Sequence, residues 1–95
     1  MLNANYKVIV HGKYLHKKTG YVKGHMCIVK MFYFKKNIVN WVREQINMPD
    51  TKPTCVQFFF RKNHVWELKA KVRVKIPVDK RKRRTLVWGG SVCLK

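Results

Sequence analysis

From Val65 to Ile76 the chain alternates without a break. Trp66, Leu68, Ala70, Val72, Val74 and Ile76 stand against Glu67, Lys69, Lys71, Arg73 and Lys75. Successive side chains of a strand point to opposite faces of a sheet, so this period of two predicts a strand with one face on a core. A helix would scatter the charges around its circumference. A strand lines up Lys69, Lys71, Arg73 and Lys75 in one outward row, about 6.6–7 Å apart at twice the rise per residue.

The pattern changes between Asn37 and Asn47. Ile38, Trp41, Val42 and Ile46 recur at the i, i+3, i+4, i+8 spacing of one helical face. Asn37 is the candidate N-cap and Pro49 stops continuation. A helix of this length is unstable alone in water and needs a surface to pack on. Strands supply it. Tyr6–Val10 is β-branched and aromatic, and part of Lys13–Val22 reads as a second strand ending in a Lys17-Lys18-Thr19-Gly20 turn. His25–Phe34 is almost continuously apolar, which predicts a central strand covered on both faces. Cys55–Arg61 follows the helix, with a turn at Lys62-Asn63. Leu86–Trp88 and Ser91–Leu94 flank Gly89-Gly90 as a terminal hairpin or a kinked last strand. The expected fold is α+β, spanning residues 1–95 as one domain. One amphipathic helix packs on a single antiparallel sheet of five or six strands, in the order roughly β-β-β-α-β-β-β.

Composition narrows the function classes. The chain has 95 residues, 22 lysines and arginines against four acids, and a net charge of +18. Hydrophobic residues make up 46%, which excludes disorder across the whole chain. No apolar run approaches the 18–20 or so residues of a membrane span, and no membrane partner is expected. The first residues lack the basic start and apolar stretch of a signal peptide. Cys27, Cys55 and Cys93 are odd in number and widely spaced, a poor disulfide framework. They predict three free, mostly buried thiols and a reducing intracellular compartment, cytoplasmic or, in a nucleated cell, nuclear.

The charge is uneven. Residues 1–36 carry eight lysines and no acid, residues 37–60 are neutral, and residues 61–95 hold twelve cations against Glu67 and Asp79. Besides the strand row, Lys80-Arg81-Lys82-Arg83-Arg84 places five cations in succession, the form of a nuclear-localisation or nucleic-acid contact run. Solvated lysines also keep a strand edge from aggregating. Adjacent like charges nevertheless repel, and a polyanion relieves the repulsion. Lys17 and Lys18 in the first turn, flanked by Tyr14 and Tyr21, and Arg61 beside Phe59 extend the candidate set. An aromatic exposed on a sheet can stack a base, although most phenylalanines pack in cores.

Other chemistry is thin. No RNA-recognition-motif aromatic signature, zinc-finger spacing or helix-turn-helix pattern is present. His25 and Cys27 would share a strand face, but no CxxC pair nucleates a metal site, and no metal or cofactor is expected. Four acids leave little for paired-carboxylate or two-metal catalysis. His11, His16 and Lys13 are the nearest set for a metal-free ribonuclease, with the two histidines on opposite faces of a continuous strand unless Gly12 bulges. The cysteines lack an activating motif. The sequence therefore leads to a non-enzymatic, backbone-directed nucleic-acid binder of low sequence specificity. Its contacts would be Lys69, Lys71, Arg73 and Lys75 with Lys80 to Arg84 as a clamp. The alternative is a small inhibitor or adaptor, of viral or phage type, that docks its basic face on an acidic protein; a nucleotide in a basic pocket is a third option.

Overall fold

A computed structural model describes residues 4–79 and 81–87. The strands are β1 (Tyr6–Leu15), β2 (Val22–Phe32), β3 (Thr51–Lys62), β4 (Val65–Lys75) and β5 (Thr85–Val87), and the helix α1 (Ile38–Ile46) lies between β2 and β3. All neighbours pair antiparallel in one sheet, in the order β2-β1-β3-β4-β5. The fold is α+β as expected, but the element order is β-β-α-β-β-β. The two strands expected within Tyr6–Val22 are one, because β1 runs straight through Gly12. The expected strand at Ser91–Leu94 lies outside the described residues.

Gly12 is part of the ladder for a steric reason. Here β3 carries a bulge: His11 pairs with Cys55 and Gly12 with Pro53, leaving Thr54 extra. Pro53 cannot donate to a ladder, and a bulge is where a sheet accommodates it. A Cβ on Gly12 would sit 2.5 Å from the Lys52 carbonyl oxygen and 2.6 Å from Pro53 Cα. The first hairpin turns where expected: His16 N donates to Tyr21 O at 2.8 Å, and Gly20 has φ +75°. The second turns one residue later than expected, at Asn63-His64, both with positive φ between paired Lys62 and Val65.

The helix buries Ile38, Val42 and Ile46 against β1 and β3, with Val8, Val10 and Val56 fully enclosed beneath them. Trp41 is half-buried, edge-on to Phe32 at 5.5 Å between centroids. Asn37 makes no side-chain cap; a short 3-10 turn at Lys35–Asn37 leads into the helix. β2 is an edge strand and not the central one. Met26 and Phe32 face the helix, while Val29 and Met31 on its other face are 50% and 53% exposed.

Gly12→Ala should lower stability by about 1–3 kcal/mol, since backbone atoms on β3 must move. Thermal unfolding checks this. A melting temperature equal to wild type would mean that the close approach does not constrain the sheet.

Candidate nucleic-acid interface

Strand parity divides the side chains into two populations. The even-numbered residues of β1 face the helix, with Val8 and Val10 in the core; Lys7, Ile9, His11 and Lys13 point to the other face, uncovered among the described residues. Register carries this division across the sheet. Lys7 pairs with Phe59, Ile9 with Gln57, His11 with Cys55 and Lys13 with Lys52. On β4, Gln57 faces Lys71 and Cys55 faces Arg73.

The alternation in β4 does not survive intact. Phe58 pairs with Ala70, but Phe59 pairs with Leu68, so Lys69 is an extra residue in the ladder. One extra residue exchanges the two faces. Trp66 and Leu68 therefore share the uncovered face with Lys71, Arg73 and Lys75, while Glu67 and Lys69 lie on the helix side. Three contacts record the exchange. Lys69 Nζ stands 5.7 Å from the Phe60 ring and 3.7 Å from Glu67 Oε2, whereas Trp66 lies under Lys7 Nζ at 4.9 Å. The expected row of four is thus a row of three, and the expected inward face from Trp66 to Ile76 begins at Ala70.

Among the described residues seven cations occupy the uncovered face: Lys7 and Lys13 from β1, Lys52 and Arg61 from β3, and Lys71, Arg73 and Lys75 from β4. No acidic side chain shares it, since Glu44 is on the helix, Asp50 and Asp79 are in loops and Glu67 is on the other side. Lys13 and Lys52 are direct cross-strand partners, a like-charge pairing that destabilises a sheet. Lys7, Lys13, Lys52 and Arg61 were not part of the expected strand row; only the register reveals them as its neighbours.

The loop after β4 differs from an array of five free cations. Arg84 is a structural bolt. Its Nη1 donates to Ile46 O at 3.1 Å, Met48 O at 3.2 Å and Thr51 Oγ1 at 3.2 Å, and its backbone N donates to Asn47 Oδ1 at 2.8 Å. A cation on the last carbonyls of a helix is favoured there by both hydrogen bonding and the macrodipole. Arg81, Lys82 and Arg83 are exposed, in a turn that Asp79 organises by accepting from Arg81 N at 3.0 Å. Lys80 lies outside the described residues. Lys17 and Lys18 are exposed in the first turn, and Lys17 and Lys82 line one open cleft at the Lys75 end of the sheet. Tyr21 is 75% exposed, but Tyr14 packs against the core on the helix side.

His11, Cys27 and Cys55 are direct neighbours in one row across β2, β1 and β3, closer than their sequence separation suggests. His11 Nε2 donates to Gln57 Oε1. Among the described residues no three histidines, cysteines or acids are arranged to hold a metal ion. Cys27 is exposed and Cys55 half-buried, both as free thiols, so the expectation of mostly buried thiols fails at Cys27; Cys93 lies outside the described residues. Among the described residues no helix is long and apolar enough to cross a membrane.

Comparison with protein-family models, with curated proteins and with solved structures finds no match to this chain. The chemistry of the uncovered face is therefore what bears on function.

Arg84→Ala should cost about 2 kcal/mol or more, because three acceptors at the helix end lose a charged donor. That is a fall of about 8–16 °C in melting temperature for a domain of this size. Replacing Arg81, Lys82 and Arg83 together by Gln should shift it by far less. Similar losses from the two changes would remove the distinction between bolt and exposed run.

Proposed function

We propose that this chain is a non-enzymatic nucleic-acid-binding protein that holds the phosphate backbone on the uncovered face of its sheet. The observation that carries the proposal is the gathering, among the described residues, of seven cations without an acidic side chain, including the opposed pair Lys13 and Lys52. A strand face needs few charges to stay hydrated. Opposing two like charges across a ladder weakens the fold, and a bound polyanion converts that cost into affinity. Lys71, Arg73 and Lys75 stand in a row with a spacing of about 6.6–7 Å, of the order of the phosphate repeat along one strand. Of the fourteen expected contacts, Lys71, Arg73 and Lys75 stand in the row, Arg61 shares their face, and Lys17, Lys18, Tyr21, Arg81, Lys82 and Arg83 are exposed in the flanking turns. Lys69 and Arg84 leave it. Low sequence specificity follows from a surface made mostly of lysine, a point charge without the planar fork that reads base edges.

The test is a salt titration with a partner face as control. Lys71→Gln, Arg73→Gln and Lys75→Gln combined should reduce the slope of log K against log salt by about 2–3, at 0.7–0.9 per contact. Melting should stay close to wild type, as all three side chains are exposed. Lys69→Gln should leave the slope unchanged. An unchanged slope in the triple variant would overturn the proposal. So would a purified 1:1 complex with an acidic protein that persists after nuclease treatment and is lost in the same variant.

A further inference from the structure

The uncovered face has two unlike ends. Toward Lys75 it presents Lys13, Lys52 and Arg73, with no Phe, Tyr or Trp beside them among the described residues. Toward the β3–β4 hairpin the cations stand among rings. Lys7 Nζ lies 4.7 Å from the centroid of Phe59 and 4.9 Å from that of Trp66, and the Arg61 guanidinium carbon lies 5.2 Å from the Trp66 centroid. Leu68 is the cross-strand partner of Phe59, and exposed Met31 is that of Lys7. No acceptor among the described residues takes the buried Nε–H of Arg61, whose guanidinium stands beside the Trp66 ring. Cations gathered among rings suit a ligand that brings both anionic groups and flat faces.

Duplex and single strand make different demands on such a surface. A duplex shows phosphates and groove edges, with its base faces stacked against each other. It also carries about one charge per 1.7 Å of axis, so a face that acts by charge alone prefers it. A single strand offers base faces as well as phosphates, and aromatic side chains in a cationic groove are what capture them. Half-buried Trp66 and Phe59 have no role in the core beneath the helix, which lies on the other side of the sheet.

We infer that the face selects single-stranded nucleic acid: an unpaired base displaces the Lys7 ammonium from over Trp66 and Phe59 and stacks there, and Lys7 and Arg61 hold the flanking phosphates. This rests on the basic face being the binding surface, and the test separates the two. Binding of the full chain is followed by fluorescence anisotropy with three labelled probes of about 12 nucleotides, within the length that small single-strand binders cover. They are oligothymidylate, the same strand annealed to oligoadenylate, and an abasic strand with the same number of phosphates. Oligothymidylate should bind about tenfold or more tighter than either of the others. Trp66→Leu should weaken it at least about fivefold with the salt slope unchanged, and Trp66→Phe should restore it. Equal affinity for oligothymidylate and the abasic strand overturns the inference and leaves the basic face standing; because that comparison uses the wild-type chain, it decides even if Trp66→Leu fails to fold. Failure to bind any of the three overturns the basic face and this inference with it.

Discussion

A nine-residue helix is about 14 Å long, while five strands at about 4.8 Å spacing make a wider sheet. The helix lies over β1 and β3 on one side; among the described residues nothing covers the other side, and the remaining architecture answers to that. The fully enclosed side chains Val8, Val10 and Val56 gather under the helix. Cations with long stems belong where their heads stay hydrated, which is the face the helix leaves open. The helix itself depends on its ends. Without a side-chain cap at Asn37, it is held at the other terminus, where Arg84 bridges Ile46, Met48 and Thr51 and Asn47 receives the Arg84 backbone. That bridge also fixes where the loop after β4 can go, beside the first turn at the Lys75 end.

Much of this was legible in the chain because local pattern and tertiary environment agree. Ile38, Val42 and Ile46 mark the buried stripe of the helix, and the alternation from Val65 marks β4. The failures share a cause. An uncovered face that is itself partly apolar removes the contrast on which such patterns rely. Trp66 and Leu68 continue the apolar beat of Ala70 and Val72, so nothing in the order of residues signals that the bulge at Lys69 has exchanged the faces. The run from His25 to Phe34 looks doubly buried for the same reason, although Val29 and Met31 are open on an edge strand. Arg84 is indistinguishable by type from its neighbours in a run of five cations. Only the carbonyls that happen to end the helix beside it set it apart. Gly12, which looks like a break, is instead the residue that lets β1 continue past Pro53.

The electrostatics of the face follow from the same geometry. Cations that are far apart in sequence, such as Lys13 and Lys52, become opposed neighbours through register, and their mutual repulsion is a property of the folded sheet alone. Rings at one end change what the charge can do. A lysine over an aromatic face is partly desolvated and oriented, so Lys7 above Phe59 and Trp66 is a placed charge and not a freely sampling one. On the proposed reading, charge governs encounter and salt dependence, and the rings govern which form of nucleic acid fits.

Backbone-amide NMR of the uniformly labelled chain, titrated with an oligothymidylate, tests the assignment of binding to the uncovered face most directly. Shifts should concentrate at Lys7, Phe59, Trp66, Lys71 and Arg73, with Val42 and Ile46 in the helix and Lys69 on the covered side of β4 close to their free positions. Perturbations centred on the helix, or confined to Arg81–Arg83, would contradict the account.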